Sequence, residues 1–160
     1  MKKVIYLLLN LVVIFLLFMF GNGMTPRPGS SSGNGNPAIL LFVPLGILFI
    51  VLVVQWFNLI KKRAHIKVTI ITLLVLVCHF IAGFYYQVAS YRKYRDYLAE
   101  VHAEQFGSVD WEYINSITSG LSIHINNQYF NWNTCFLFVS FSMFIALMIN
   151  VIKLRTEKQL

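Results

Sequence analysis

The chain has 160 residues, 58% of them apolar and only 12% charged, with a mean hydropathy of +0.67. That balance excludes a water-soluble domain, which would lack the polar surface to stay in solution. A formal net charge of +7 and a pI near 9.6 do not imply a nucleic acid partner, because the basic residues form short clusters at the ends of apolar runs and not a groove.

Apolar runs at residues 4–20, 37–60, 66–89 and 134–152 are each long enough, as helices, to cross a hydrocarbon layer roughly 30 Å thick. The expected fold is an all-α membrane protein, a four-transmembrane-helix bundle that makes residues 1–160 one membrane domain with the lipid bilayer as its first partner. The first run begins like a secretory signal at Met1-Lys2-Lys3. Its length, about 17 residues, exceeds the apolar core of a signal peptide, and Phe18-Met19-Phe20-Gly21-Asn22-Gly23 offers no small-x-small cleavage site, so it reads as a retained signal-anchor.

Residues 21–36 are rich in Gly, Ser, Asn and Pro and read as a flexible outer linker. Asn36 and Pro37 then supply an N-cap and a first-turn proline for the second span, which Pro44 and Gly46 are expected to kink. Lys61 to His65 is a very short connection, so spans two and three are expected to pack as an antiparallel hairpin. Trp56, Tyr85 and Tyr86 sit where amphipathic rings favour the headgroup layer. Cys78 falls near the middle of span three and Cys135 at the mouth of span four, too far apart in depth for a disulfide, so both are expected to be free, with Cys78 buried.

Residues 90–133 form the one sizeable segment outside the bilayer, small and partly helical. The spacing of Tyr91, Tyr94, Leu98, Val101 and Gln105 predicts that span three continues outward as an amphipathic helix. A second short helix is predicted from Ser108 or Asp110 through Ile117, ended by Ser119-Gly120. Alternation at Leu121, Ile123 and Ile125 gives a weak strand signal. A segment this short cannot bury much of a core and is expected to fold back onto the membrane surface or onto another protein.

Basic residues set the orientation. Lys2, Lys3, Lys61, Lys62, Arg63, Lys67, Lys153, Arg155 and Lys158 fall on one side of a four-pass arrangement, against Arg27, Arg92, Lys93 and Arg95 on the other. Both termini are therefore expected in the cytoplasm. The absence of a eukaryotic targeting pattern and of any N-x-Ser/Thr sequon favours a bacterial plasma membrane, with the chain multi-pass in it.

Three sets of residues are candidates for function. His79, near the middle of its span, needs a polar partner in hydrocarbon, and helical rise puts Ser142 at its depth, with Gly46 level with both to allow close helix approach. A His79–Ser142 hydrogen bond is the expectation. A protease dyad is disfavoured because the residues around Ser142 provide no glycine to open an oxyanion site. Asn10, Gln55, Asn58, Thr69, Thr72 and Asn150 form an inner polar layer that is expected to join the helices or, in the alternative, to line a vestibule. Tyr91, Tyr94, Tyr97, Trp111 and Tyr113 make a candidate outer contact surface, which Tyr129 and Trp132 extend.

Glu100, His102, Glu104, Asp110, Glu112 and His124 lack any metal-ligand spacing, since Glu100 and Glu104 share a helical face from which His102 points away. No cofactor and no metal is expected. The leading reading is a non-catalytic protein acting through contacts with another membrane or envelope protein, in an accessory, regulatory or self-protection role. The alternatives are a transporter or channel component built on His79 and the inner layer, and a membrane enzyme for lipid or envelope precursors using Glu100, His102, Asp110 or His124.

Overall fold

The computed structural model describes residues 1–30, 35–61 and 65–156. Those residues are helical wherever they are regular: α1 (Lys2–Gly23), a 3-10 turn (Pro37–Leu41) running into α2 (Phe42–Ile60), α3 (Ile66–Phe106), α4 (Trp111–Ile117), a 3-10 turn (Ile123–Ile125), α5 (Asn126–Tyr129) and α6 (Trp132–Thr156). Four helices are long and apolar enough to cross a membrane: α1, the 3-10 turn with α2, α3, and α6. The Asn36 side chain accepts from the Ala38 N–H at 3.0 Å and Pro37 follows it, as the sequence predicts for the start of the second span. Lys62, Arg63 and Lys158, and the middle of the 21–36 linker, lie outside the described residues.

Helix directions follow from ring contacts. Phe18 meets Phe138 and Phe130, Phe49 meets Phe138 and Phe141, and Phe80 meets Phe141 and Phe144. α2 and α6 therefore run parallel, with α1 and α3 antiparallel to them. The start of α1 and the end of α6 lie at one end of the bundle, and the segment between α3 and α6 caps the other.

The expected hairpin is corrected in one respect. α2 and α3 share almost no contact along their lengths, because α6 lies between them: it packs extensively on α2 and on α3, while α1 closes the far side of α2. A short connection dictates the direction of the second helix and holds two ends together, but helix faces choose partners by fit. The faces are visible as seven-residue repeats, Ala38, Leu45 and Leu52 entering and along α2, and Thr69, Leu76 and Gly83 along α3. Such spacing keeps one stripe in contact along near-parallel helices. Many other apolar side chains, among them Leu16, Ile50, Ile71 and Phe84, face outward, as lipid contact requires.

α3 has 41 residues, about 60 Å at the α-helical rise and about twice the hydrocarbon thickness. Its outer part continues beyond the apolar stretch as predicted, and it ends at Gly107 in the left-handed conformation, φ 80°. α4 begins at Asp110, whose carboxylate accepts from the Tyr113 N–H at 3.0 Å. The weak strand signal at Leu121–Ile125 is overturned: Ile123–Ile125 is a 3-10 turn, entered through Ser122, whose hydroxyl accepts from the His124 N–H. No neighbouring strand exists among the described residues to pair with it, and alternation alone cannot hold an isolated strand.

The cap folds back on the bundle. Leu98, Ala99 and Ile114 form its small core with Tyr94, Val109 and Ile117. Phe130 plugs the space between the ends of α1 and α2, stacked on Phe42 at 5.4 Å and edge-on to Phe18 at 5.8 Å. Gly21 makes room for it, since a Cβ there would stand 2.5 Å from the Phe130 Cγ. Gly21 to Gly23 thus belong to α1 and not to the linker.

Candidate functional site

The central set does not assemble. Phe80 against Phe141 and Phe144 puts the register near the expected depth, but Ser142 is fully buried and its hydroxyl donates to the Val139 carbonyl at 2.6 Å. His79 is half-buried, and its Nε2 is enclosed without a hydrogen-bond partner. Serine within a helix commonly satisfies itself on the preceding turn, which removes the incentive for an interhelical bond. Gly46 is exposed, and a Cβ on it would meet nothing within 4 Å. It follows Leu45 of the packed stripe by one residue, a rotation of about 100° that turns it away from the neighbouring helices. Within the helices the close approaches lie at Gly21 and at Gly83, where a Cβ would reach 2.7 Å from a Leu137 methyl.

The inner layer reduces to a clasp between two helices. Asn10 donates to the Gln55 side-chain carbonyl at 3.0 Å and more weakly to the Leu48 carbonyl at 3.4 Å, and Gln55 donates to the Tyr6 carbonyl at 3.2 Å. A bond of this kind between membrane helices contributes about 0.6 to 2 kcal/mol. Thr69 and Thr72 donate to their own helix, at His65 and Val68. Among the described residues no hydrogen bond carries Asn58 or Thr72 to another helix, and Asn150, only 2% exposed, keeps its Nδ2 without a partner. A cleft of about 290 Å³ between α2, α3 and α6 is lined by Trp56, Thr69, Thr72 and Met143. The Trp56 N–H is enclosed and unpaired there, so the ring does not reach for the headgroup layer as expected, whereas Tyr85 and Tyr86 do face outward. The cysteines are free as expected, but Cys78, expected to be buried, is exposed on the outer face of α3, while Cys135 is buried.

The proposed contact surface divides. Tyr91 donates to the Thr118 carbonyl at 2.8 Å, Tyr94 packs on the small core of Leu98, Ala99 and Ile114, and the Tyr129 hydroxyl donates to the Gly120 carbonyl, so these three rings build the cap. Tyr97, Trp111 and Tyr113 remain outward-facing, 48%, 49% and 40% exposed. Arg95 lies 5.8 Å over the Trp111 ring and ties α4 to α3. Trp132 is exposed at the start of α6, against Phe136 and Phe15.

A set of amides that sequence reasoning missed holds the cap in place. Asn36 and Asn126 exchange two side-chain hydrogen bonds, at 2.7 and 3.1 Å, and Asn36 also donates to the Leu121 carbonyl. On the other side, Gln87 of α3 donates to the Gln128 carbonyl at 2.8 Å and accepts from Asn131 and Asn133, while Asn133 donates to the Gly83 carbonyl. The density of amides over residues 126–133 was the available signal, but amide side chains are common in solvated loops and name no partner by themselves.

His124 is buried in this cap, and its burial pushes the imidazole below the usual histidine range. No group of three or more His, Cys, Asp or Glu side chains that could hold a metal ion occurs among the described residues. Comparison with protein-family models, with curated proteins and with solved structures returns no match.

Proposed function

We propose that this chain is a small multi-pass protein of a bacterial plasma membrane that acts through protein contacts, in an accessory, regulatory or self-protection role, with both termini in the cytoplasm and the cap outside. The observation that carries this reading is the fastening of the cap. Two amide networks and the Phe130 plug hold it rigidly on the bundle, while Tyr97, Trp111 and Tyr113 are left turned outward. Aromatic side chains on a rigid platform bury much area at little entropic cost when a partner docks. The excess of basic residues at the opposite end supports the orientation.

The test is site-specific photocrosslinking in native membranes. A photoreactive residue at Tyr97 or Trp111 is expected to give one discrete protein adduct, and the same residue at lipid-facing Ile71 none. Failure to form an adduct at either cap position, or equal adducts at Ile71, would overturn the reading. Transport has weaker support, since Asn10 and Gln55 are engaged with each other and the Thr69 and Thr72 hydroxyls are turned onto their own helix. Flux through liposomes that falls with Gln55→Ala would favour transport instead.

A further inference from the structure

A cavity of about 510 Å³ opens in the cap where the end of α3 meets α4. Its floor is apolar, from Leu98 and Ile114 of the small cap core. Its wall carries three rings, His102 lying against Phe106 and Tyr113 with centroids 4.7 and 5.4 Å away, and is completed by Gln105 and by Gly29 and Ser30 of the linker. His102 is held there by its own hydrogen bond, Nδ1–H to the Ser108 carbonyl at 3.0 Å. Among the described lining residues Asp110 is the one formal charge. One of its oxygens caps α4, and that anchors the carboxylate at the rim instead of leaving it to swing into solvent. His124 also lines the cavity.

Ring faces attract a cation through their quadrupole, and a fixed carboxylate beside them selects positive charge over an uncharged ligand of the same shape. A compact ammonium hydrated as strongly as lysine's would lose much on entering a cavity with an apolar floor, whereas a quaternary ammonium presents methyl groups to it. We propose that this cavity is a binding site for a small quaternary alkylammonium group, which would lie against the Phe106, His102 and Tyr113 rings that line it, with Asp110 as its counter-charge. The site stands on the cap's geometry alone, whether or not the same cap also docks a protein. The group can arrive on a free metabolite or on a lipid headgroup, since both carry the same chemistry.

The full chain in phosphatidylglycerol nanodiscs is titrated calorimetrically with choline and with its uncharged isostere 3,3-dimethylbutan-1-ol. Choline is expected to bind saturably at about millimolar concentration or below, roughly tenfold more tightly than the isostere. Asp110→Asn keeps the N-cap, because asparagine caps as well as aspartate, and so removes the charge without removing the helix start. It is expected to weaken choline about tenfold and to leave the isostere unchanged. Phe106→Ala alters a side chain that is 69% exposed, so folding is undisturbed, and it is expected to weaken choline severalfold. Repeating the titration in phosphatidylcholine nanodiscs separates the sources: suppressed choline binding assigns the site to a lipid headgroup, and unaltered binding to a soluble ligand. Equal binding of choline and its isostere, or choline affinity unchanged in Asp110→Asn, would overturn the proposal.

Discussion

Glycine 21 shows how a single missing side chain decides the packing of this protein. The Phe130 ring occupies the space a Cβ would need, with ring carbons at 2.5, 2.7 and 2.8 Å from it. A ring fixed between Phe18 and Phe42 has nowhere to retreat. Gly21→Ala is therefore expected to destabilise the folded chain by about 1 to 3 kcal/mol in a detergent unfolding titration. Gly83→Ala should cost less, because the atom in its way is a methyl at the end of the Leu137 side chain, which can turn aside. Gly46, the glycine that depth alone favours, tolerates alanine on steric grounds.

A second residue-scale effect concerns His124. Its folded-state titration lies below the usual 6.5, so as pH falls the unfolded chain takes up the proton first. The stability contributed by the neutral, buried ring is thus intact above about pH 6.5 and declines as pH drops through that value toward the folded one. Thermal unfolding between pH 7 and 5.5 should show a falling midpoint, and His124→Gln should reduce the slope. An unchanged slope in that variant would assign the acid sensitivity to other groups.

At the scale of elements, each helix carries far more apolar surface than it packs. Along α1 the buried positions Leu7, Asn10, Ile14, Phe18 and Gly21 form one stripe among neighbours that are equally hydrophobic but face outward. The existence and length of the apolar helices were readable for that reason, and their contact faces were not. In a water-soluble helix polarity marks the outside, but in a membrane helix both faces are apolar and only close fit separates them. The amphipathic part of α3 and the Asp110 start of α4, which lie beyond the apolar stretch, were legible because polarity marks a face there. Gln87 is one of the residues that fasten the cap to α3. Gln87→Leu would remove one hydrogen bond each from the Gln128 carbonyl and the Asn131 and Asn133 amides, which keep their bonds to one another, to Asn127 and to Gly83. Hydrogen exchange should then quicken over residues 123–131 by about an order of magnitude, with α1 and α2 unaffected.

Across the whole molecule, the end that holds Lys2 and Thr156 is opposite to the cap, so the two should label from opposite sides of a sealed membrane. Cysteines introduced at Gly107 and at Thr156, in a chain lacking Cys78 and Cys135, are expected to react with an impermeant maleimide from the outside and from the cytoplasm respectively. Reaction of both from one side would contradict the topology.

Length, hydropathy and the placement of Lys and Arg belong to the chain itself, and they were enough to determine four apolar helices and to motivate an orientation, because the bilayer acts on each segment separately. Helical rise likewise brings His79 and Ser142 to similar depths without reference to any neighbour. Which helix touches which was decided only by the tertiary structure. α6, last in the chain, separates α2 from α3 and leaves Gly46 facing outward. Ser142 is satisfied within its own turn, and amides scattered from Asn36 to Asn133 become the clasp of the cap. The physical reason is that fit and hydrogen-bond partnership depend on the angle at which a side chain leaves its helix relative to a neighbour distant in sequence.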